Sequence, residues 1–215
     1  MNGEKQKTPS FWPDVGLLAL LTAPFFLNDF LFLGVETATQ WLMADYGSKI
    51  LALVILFAIL PLRRAAIGTI KLKSPIRDAA ILALLSTGAV IFADYFFRVL
   101  VPIEIESLVL FRYPPLSPGL LYWTDITFGL ALTAVSEEFV FRGVFAVVMA
   151  RYLPNATALI AVSAVVFALI HWSHGLASMV VAAIAGVVLM ALYLRTGSVL
   201  PGIAAHYAIN FADFI

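Results

Sequence analysis

The sequence predicts an all-α fold, a polytopic bundle of transmembrane helices. Of its 215 residues, 62% are hydrophobic and only 12% are charged, and the mean hydropathy is +1.00. Soluble domains are typically about 45–50% apolar and about 25% charged. A soluble globule of this size still exposes roughly a quarter to a third of its chain's surface, so it could not hide so many apolar residues. The apolar runs are continuous rather than alternating, which argues against the strands of a β-barrel.

Runs of about 20 apolar residues, the length that crosses a bilayer, indicate about seven spans. They fall near residues 15–35, 46–62, 79–100, 122–150, 156–173, 175–194 and 198–214. The fourth run is long enough to be tilted or kinked. The sequence contains no internal repeat, so residues 1–215 are interpreted as a single integral membrane domain.

The distribution of positive charge predicts the orientation of the bundle, because Lys and Arg gather on the cytoplasmic side. If every run crosses the membrane, one side carries Lys5, Lys7, Arg63, Arg64, Lys71, Lys73, Arg77, Arg151 and Arg195. The N-terminus is therefore predicted to lie inside, with residues 63–77 along the inner surface. Asp45, Lys49 and the stretch from Pro102 to Pro118 are expected in external loops. In a prokaryote, this places the protein in the cell (plasma or inner) membrane.

Charge and cysteine content exclude several classes of function. The 13 basic and 13 acidic residues balance, so there is no basic surface for nucleic acid, and the lipid bilayer is the predicted environment. The chain contains no cysteine. Disulfides, thiolate zinc sites and cysteine nucleophiles are therefore excluded.

Ionisable side chains within the predicted spans are candidates for function, because placing them in hydrocarbon is costly. Glu138 and Arg142 are four residues apart in the fourth span, so they share a helix face and are predicted to pair. Glu137 points about 100° away from Glu138, which leaves it available for chemistry. The alternative is that these groups form a buried ion pair that fixes helix register. Asp94 and Arg98, with the same spacing in the third span, are predicted to pair for structural reasons.

Two further spans contribute polar groups at the same depth. The fifth ends with Phe167 and His171, of which Phe167 is expected to be a packing wall. The seventh carries His206 and Asn210, which share a face and can donate hydrogen bonds to an oxyanion, or can clamp two helices together. At about 1.5 Å per residue, Glu137, His171 and Asn210 lie roughly 21, 24 and 22 Å from the inner ends of their helices. This agreement in depth predicts one site.

Together these motifs resemble those of a known family. Glu-Glu-x-x-x-Arg, Phe-x-x-x-His and His-x-x-x-Asn, in this order on successive helices, are similar to the motifs of the CPBP intramembrane proteases, also called Abi or CAAX-protease-like. The resemblance covers about residues 120–215, the predicted catalytic core. It implies an endopeptidase of the glutamic type that cleaves a membrane-associated protein or peptide. The substrate it implies, lipidated or unmodified, is processed near its C-terminus, in a CAAX-like or sorting-signal-like reaction.

The resemblance also implies catalytic roles and no cofactor. Glu137 with His171 would activate a water molecule for attack on a peptide carbonyl. His206 and Asn210 would stabilise the oxyanion of the tetrahedral intermediate. The supporting residues are Glu138, Arg142 and Phe167.

Three alternatives remain open from the sequence. The family was long described as metalloproteases, and Glu137, His171 and His206 could form a two-histidine, one-carboxylate zinc set with an open position. The same groups could relay protons in a proton-coupled transporter, although the inverted repeats typical of transporters are not apparent. The third alternative is a non-catalytic membrane scaffold or immunity protein.

Overall fold

The protein is all-α, as predicted. A computed structural model describes residues 10–100, 109–110 and 114–214, and within these ranges it contains helices and their connections but no strand. The helices are α1 (Phe11–Leu31), α2 (Ala38–Ala58), α3 (Leu60–Gly68), α4 (Ile76–Leu100), α5 (residues 120–149), α6 (Ala156–Leu169), α7 (Gly175–Thr196) and α8 (Leu200–Ala212).

Four stretches of the described chain are long and apolar enough to cross a membrane. They are Phe11–Gly34, Ala38–Ala58, Ile76–Leu100 and Trp172–Thr196, and α6 is apolar but shorter. The total of seven spans and the inside position of the N-terminus stay predictions. Lys5, Lys7 and most of the stretch from Pro102 to Pro118 lie outside the described residues.

The second helix differs from the prediction. The sequence predicts a span from about residue 46 and an external position for Asp45 and Lys49, and a loop position for these two residues is wrong. α2 begins at Ala38, where Thr37 forms a capping box with the third residue of the helix, and such reciprocal hydrogen bonds define a helix start. Asp45 and Lys49 therefore lie within α2, buried to 8% and 7% exposure. They form an ion pair one turn apart, which makes their burial possible.

Helix α5 is continuous, but two of its segments have π-helical instead of α-helical hydrogen bonds. Between α-helical segments it has two π-helical segments, Asp125–Gly129 and Glu138–Val144. Single π-helical turns inside α-helices frequently occur at functional sites. The second π segment begins at one of the predicted site residues and lies in the centre of the core, where Val140, Phe141 and Val144 are fully buried.

Helices α6 and α7 form a closely packed antiparallel hairpin. A Cβ atom at Gly186 of α7 would lie 2.8 Å from the Cα of Ala164 in α6, so the glycine permits this approach of the two backbones. The hairpin turn, residues 170–174, lies beside the end of α1, where the ring centres of Trp172 and Phe30 are 5.4 Å apart. This is the end toward which the predicted site residues lie.

The opposite end of the bundle gathers the basic residues. The segment between α3 and α4 packs against the turn between α7 and α8, where the Lys73 amide donates to the Thr196 carbonyl oxygen at 2.9 Å. The Val199 amide donates to the Thr69 carbonyl oxygen, also at 2.9 Å. The structure thus places the basic segment beside the turn between α7 and α8.

Candidate active site

The predicted pair of Glu138 and Arg142 is confirmed. Nη1 of Arg142 lies 2.9 Å from Oε1 of Glu138, and neither side chain has any exposed surface. The guanidinium carbon also lies 4.0 Å from the centre of the Phe167 ring, a cation–π arrangement. Phe167 is therefore more than a packing wall, because it contacts the charge of Arg142. Burying two ions costs several kcal/mol each unless they are paired, so the three side chains stabilise one another.

His206 lies between the two adjacent carboxylates. Its Nδ1–H donates to Oε1 of Glu138 at 2.9 Å, since an ionised carboxylate only accepts hydrogen bonds. Its Nε2 faces Oε2 of Glu137 at 3.8 Å. This distance is too long for a direct hydrogen bond, but one oxygen atom of water or substrate can lie within hydrogen-bond distance of both. One nitrogen of His206 is thus held by a hydrogen bond to Glu138, and the other faces Glu137.

A glycine permits the approach of α8 to this pair of carboxylates. Gly202 lies one turn before His206 on α8, and a Cβ atom there would lie 2.7 Å from Oε2 of Glu138. A Cβ atom in a protein does not lie this close to a nonbonded oxygen atom, so any larger residue at position 202 would displace the carboxylate. Gly202 is therefore part of what positions His206.

We expect the substitution Gly202→Ala to impair any activity of this site without unfolding the protein. The added methyl group moves Glu138 and weakens its hydrogen bond to His206, and misplacement by about 1 Å can cost about a hundredfold in rate. The measurement is the rate of peptide cleavage together with helicity by circular dichroism. Gly88→Ala is the control, because a Cβ at Gly88 meets no atom within 4 Å. Equal loss in both variants would contradict this positioning role.

His171 follows the C-terminus of α6, which ends at Leu169. Its Nδ1–H donates to the Phe167 carbonyl oxygen at 2.9 Å, and a carbonyl oxygen can only accept. In the neutral imidazole, Nε2 therefore carries the lone pair. His171 is thus oriented by its own chain so that Nε2 is left as a hydrogen-bond acceptor.

Two cavities meet at these side chains. The α4–α7 cavity, of about 370 Å³, lies between α4, α7 and α8 and is lined by His171, His206 and Asn210. The α1–α2 cavity, of about 250 Å³, lies between α1, α2 and α5 and is lined by Glu137, His171 and Asn210. His171 and Asn210 line both. The structure therefore brings all four predicted catalytic residues to one junction, with Glu137 and His206 facing each other across it.

The sequence analysis missed several polar residues of the α1–α2 cavity. Asp45 and Lys49 line it from α2, and Asp125, which would be read as structural near a helix end, lines it from α5. The hydroxyl of Tyr46 donates to Oδ1 of Asp125 at 2.6 Å. The four-residue spacing of Asp45 and Lys49 is the same signal that predicted the pair of Glu138 and Arg142. The pair of Asp45 and Lys49 was not predicted because the apolar run begins at residue 46, after Asp45.

The mouth of the α4–α7 cavity carries a further ion-pair group. Nε of Arg98 lies 2.7 Å from Oδ2 of Asp94, as the spacing predicts. Nη2 of Arg98 also lies 3.0 Å from Oδ1 of Asp213 in the last residues of the described chain. This group joins α4 to the end of α8.

The zinc alternative requires Glu137, His171 and His206 to be gathered around one metal ion. Among residues 10–100, 109–110 and 114–214, no group of three or more His, Asp or Glu side chains is placed to hold a metal ion. The Nδ1 atoms of both histidines are engaged, with Glu138 and with the Phe167 carbonyl, which leaves Nε2 of each ring available and is also the arrangement usual for metal-ligating histidines. Glu137, His171 and His206 are thus not gathered into a metal-ligand set in this geometry, and no chemical step is routed through a metal.

The part of the chain that contains these residues matches a known protein family. Residues 119–212 match the Rce1-like family model, described as type II CAAX prenyl endopeptidase Rce1-like. This segment is similar to the Rce1-like family. The resemblance to CAAX-protease-like proteins is thereby confirmed. No curated protein and no solved structure matched the chain.

The Rce1-like segment contains every predicted site residue, from Glu137 to Asn210. The family supports a membrane-integral protease of the CAAX type, whose substrate is a membrane-associated peptide or protein. Helices α1 to α4 lie outside the matched segment. Asp45 and Lys49 line the α1–α2 cavity from outside the matched segment.

Proposed function

We propose that the protein is a glutamic-type intramembrane endopeptidase. It hydrolyses a peptide bond near the C-terminus of a membrane-associated protein or peptide, in a CAAX-like or sorting-signal-like reaction. The observation that carries the proposal is the position of His206 between Glu137 and Glu138, at the junction of two cavities and within the Rce1-like segment.

Glu137 is the general base in this mechanism. It lines the α1–α2 cavity together with His171, and its Oε2 has no hydrogen-bond partner within the protein. Glu137 takes one proton from a water molecule while Nε2 of His171 accepts a hydrogen bond from the other O–H. The water oxygen forms a bond to the carbonyl carbon, which becomes tetrahedral. Such positioned bases contribute about 10²–10⁴-fold to a rate.

The negative charge that develops on the carbonyl oxygen is stabilised from α8. In the imidazolium form His206 carries N–H at both nitrogens, and its Nε2–H donates to the oxyanion while Nδ1–H remains bonded to Glu138. The amide of Asn210, one turn further along α8, supplies a second donor. When the C–N bond breaks, the proton held by Glu137 passes to the leaving amine, which balances the reaction. Glu138 and Arg142 act by holding the His206 ring.

The peptide is proposed to occupy the α4–α7 cavity. Its volume of about 370 Å³ lies within the range of about 300–1,000 Å³ typical of ligand sites. Apolar side chains such as Val90, Val181 and Leu189 line its walls, and His171 and His206 lie among them. An apolar wall beside polar catalytic groups suits an extended peptide with aliphatic side chains.

The experiment uses the purified full chain in liposomes. The probes are a farnesylated peptide that ends in cysteine, two aliphatic residues and a variable residue, and the same peptide without the lipid. We expect mass spectrometry to detect release of the C-terminal residues, faster from the farnesylated peptide. Faster cleavage of the unmodified peptide would contradict a prenyl-dependent substrate. Absence of hydrolysis of both would contradict the protease assignment for this substrate class.

We expect hydrolysis to persist after metal removal. The measurement is the cleavage rate after treatment with 1,10-phenanthroline and dialysis, with residual zinc determined by elemental analysis. The reason is that Glu137 and His171 can activate water without a metal in the proposed mechanism. An activity that disappears with the metal and returns on addition of zinc would favour the zinc-dependent alternative with Glu137, His171 and His206 as ligands.

A further inference from the structure

We propose that the α1–α2 cavity is a water-filled inlet that leads from the end of the bundle to Glu137. This inference rests on the proposed function for the role of the water, since the inlet supplies the molecule that hydrolysis consumes. The peptide and the water would then reach the junction at His171 and Asn210 by different routes. The peptide uses the α4–α7 cavity, and the water uses the α1–α2 cavity.

The lining of the α1–α2 cavity is unusually polar for the interior of a helix bundle. Helices α1, α2 and α5 contribute Asn28, Asp29, Asp45, Ser48, Lys49, Asp125, Thr133 and Glu137, and α8 adds Asn210. Charged side chains inside a membrane protein almost always face the bundle interior or a water-filled cavity. Most of these residues are nearly inaccessible from outside the bundle, so the cavity itself must supply their polar environment.

Several of these side chains have buried atoms without a protein partner. They include Oδ1 of Asn28, Oδ2 of Asp29, Oδ2 of Asp125 and Oε2 of Glu137. Buried polar atoms are nearly always hydrogen-bonded, to protein or to ordered water. The cavity volume of about 250 Å³ has room for several water molecules, each of which takes about 30 Å³ in the liquid. Water in the cavity satisfies these atoms.

The residues of α5 that line the inlet include four at a regular spacing of four residues. Asp125, Gly129, Thr133 and Glu137 all line the cavity, and residues four apart lie on one face of a helix. This stripe of polar and small residues covers roughly 18 Å at about 1.5 Å per residue. It begins in the first turns of α5, near the end of the bundle, and stops at the proposed general base.

Helix α2 forms the facing wall of the inlet. Asp45 and Lys49 are paired there, and Nδ2 of Asn28 in α1 donates to Oδ1 of Asp45 at 3.4 Å. These contacts hold polar groups toward α5 rather than toward lipid. They also explain why an ion pair lies in α2, outside the Rce1-like segment.

Cysteine labelling tests the inlet directly, because the natural chain contains no cysteine. Ser48→Cys and Thr133→Cys each place one thiol in the α1–α2 cavity. Thr22→Cys is the matched control, since Thr22 is buried at 6% exposure in α1 but does not line the cavity. The probe is a charged, membrane-impermeant methanethiosulfonate applied to either face of oriented liposomes. We expect the two cavity thiols to react at least about tenfold faster than the control, from one face only, since reaction requires a hydrated thiolate.

A kinetic measurement separates the two cavities. Labelling Thr133→Cys should lower kcat for the farnesylated peptide with little change in KM, because it obstructs water rather than peptide. Labelling Val181→Cys in the α4–α7 cavity should raise KM. Cavity thiols that react as slowly as Thr22→Cys would overturn the inlet, as would unchanged turnover after complete labelling of Thr133→Cys. An inactive natural protein with rapidly labelled cavity thiols would instead contradict the proposed function alone.

Discussion

Replacing Glu137 by glutamine is expected to abolish peptide hydrolysis while the helices remain folded. Glutamine keeps the size of the side chain but cannot accept a proton from water, so the loss should be about 10²–10⁴-fold. His171→Ala is expected to have a similar effect, because it removes the acceptor that orients the water. Both are measured as kcat/KM on the farnesylated peptide, with circular dichroism to follow the fold.

Two controls distinguish a catalytic effect from a general effect of charge. Glu36→Gln removes an exposed carboxylate between α1 and α2 and should leave activity unchanged. Asp94→Asn changes one member of the ion-pair group at the mouth of the α4–α7 cavity, and its effect should be mild. Turnover close to that of the natural protein in Glu137→Gln or His171→Ala would rule out the mechanism.

Replacing Arg142 by methionine is expected to lower the free energy of unfolding by about 3–5 kcal/mol, the usual cost of leaving a buried charge without its partner. The carboxylate of Glu138 would remain fully buried with His206 as its remaining polar contact. The measurement is a detergent-unfolding titration followed by circular dichroism.

A double variant tests whether the loss of stability comes from the unpaired charge of Glu138. In Glu138→Gln/Arg142→Met both charges are removed, so stability should recover in large part while activity stays low, because His206 loses its carboxylate acceptor. Arg151→Met, which breaks the partly exposed pair with Asp14, should cost no more than about 1 kcal/mol. A loss in Arg142→Met as small as that in Arg151→Met would contradict the stabilising role of the buried pair.

Several features could be predicted from the sequence because they depend on spacing and composition. Long apolar runs form helices in any arrangement, and residues four apart lie on one helix face. For this reason the pairs of Glu138 with Arg142 and of Asp94 with Arg98 were predicted and are confirmed. Depth within the helices also predicted one level for Glu137, His171 and Asn210, and all three line the α1–α2 cavity.

Other features could not be predicted, since they depend on hydrogen bonding and packing between helices. The start of α2 is set by the capping box at Thr37 rather than by hydropathy, so Asp45 and Lys49 were misplaced. The π-helical segment that begins at Glu138 departs from the 3.6-residue period on which side-chain directions were based. The close approach of α8, which depends on Gly202, has no signal in a single sequence.

Composition and spacing by themselves determined that this chain is a helical membrane protein, that its C-terminal part carries the motifs of CAAX-type proteases, and that Glu138 pairs with Arg142. Only the tertiary structure decided that His206 lies between two carboxylates and that two cavities of different polarity meet beside it. The physical reason is that helix formation and one-turn ion pairs are local, whereas cavities and contacts between helices arise from how separate helices pack.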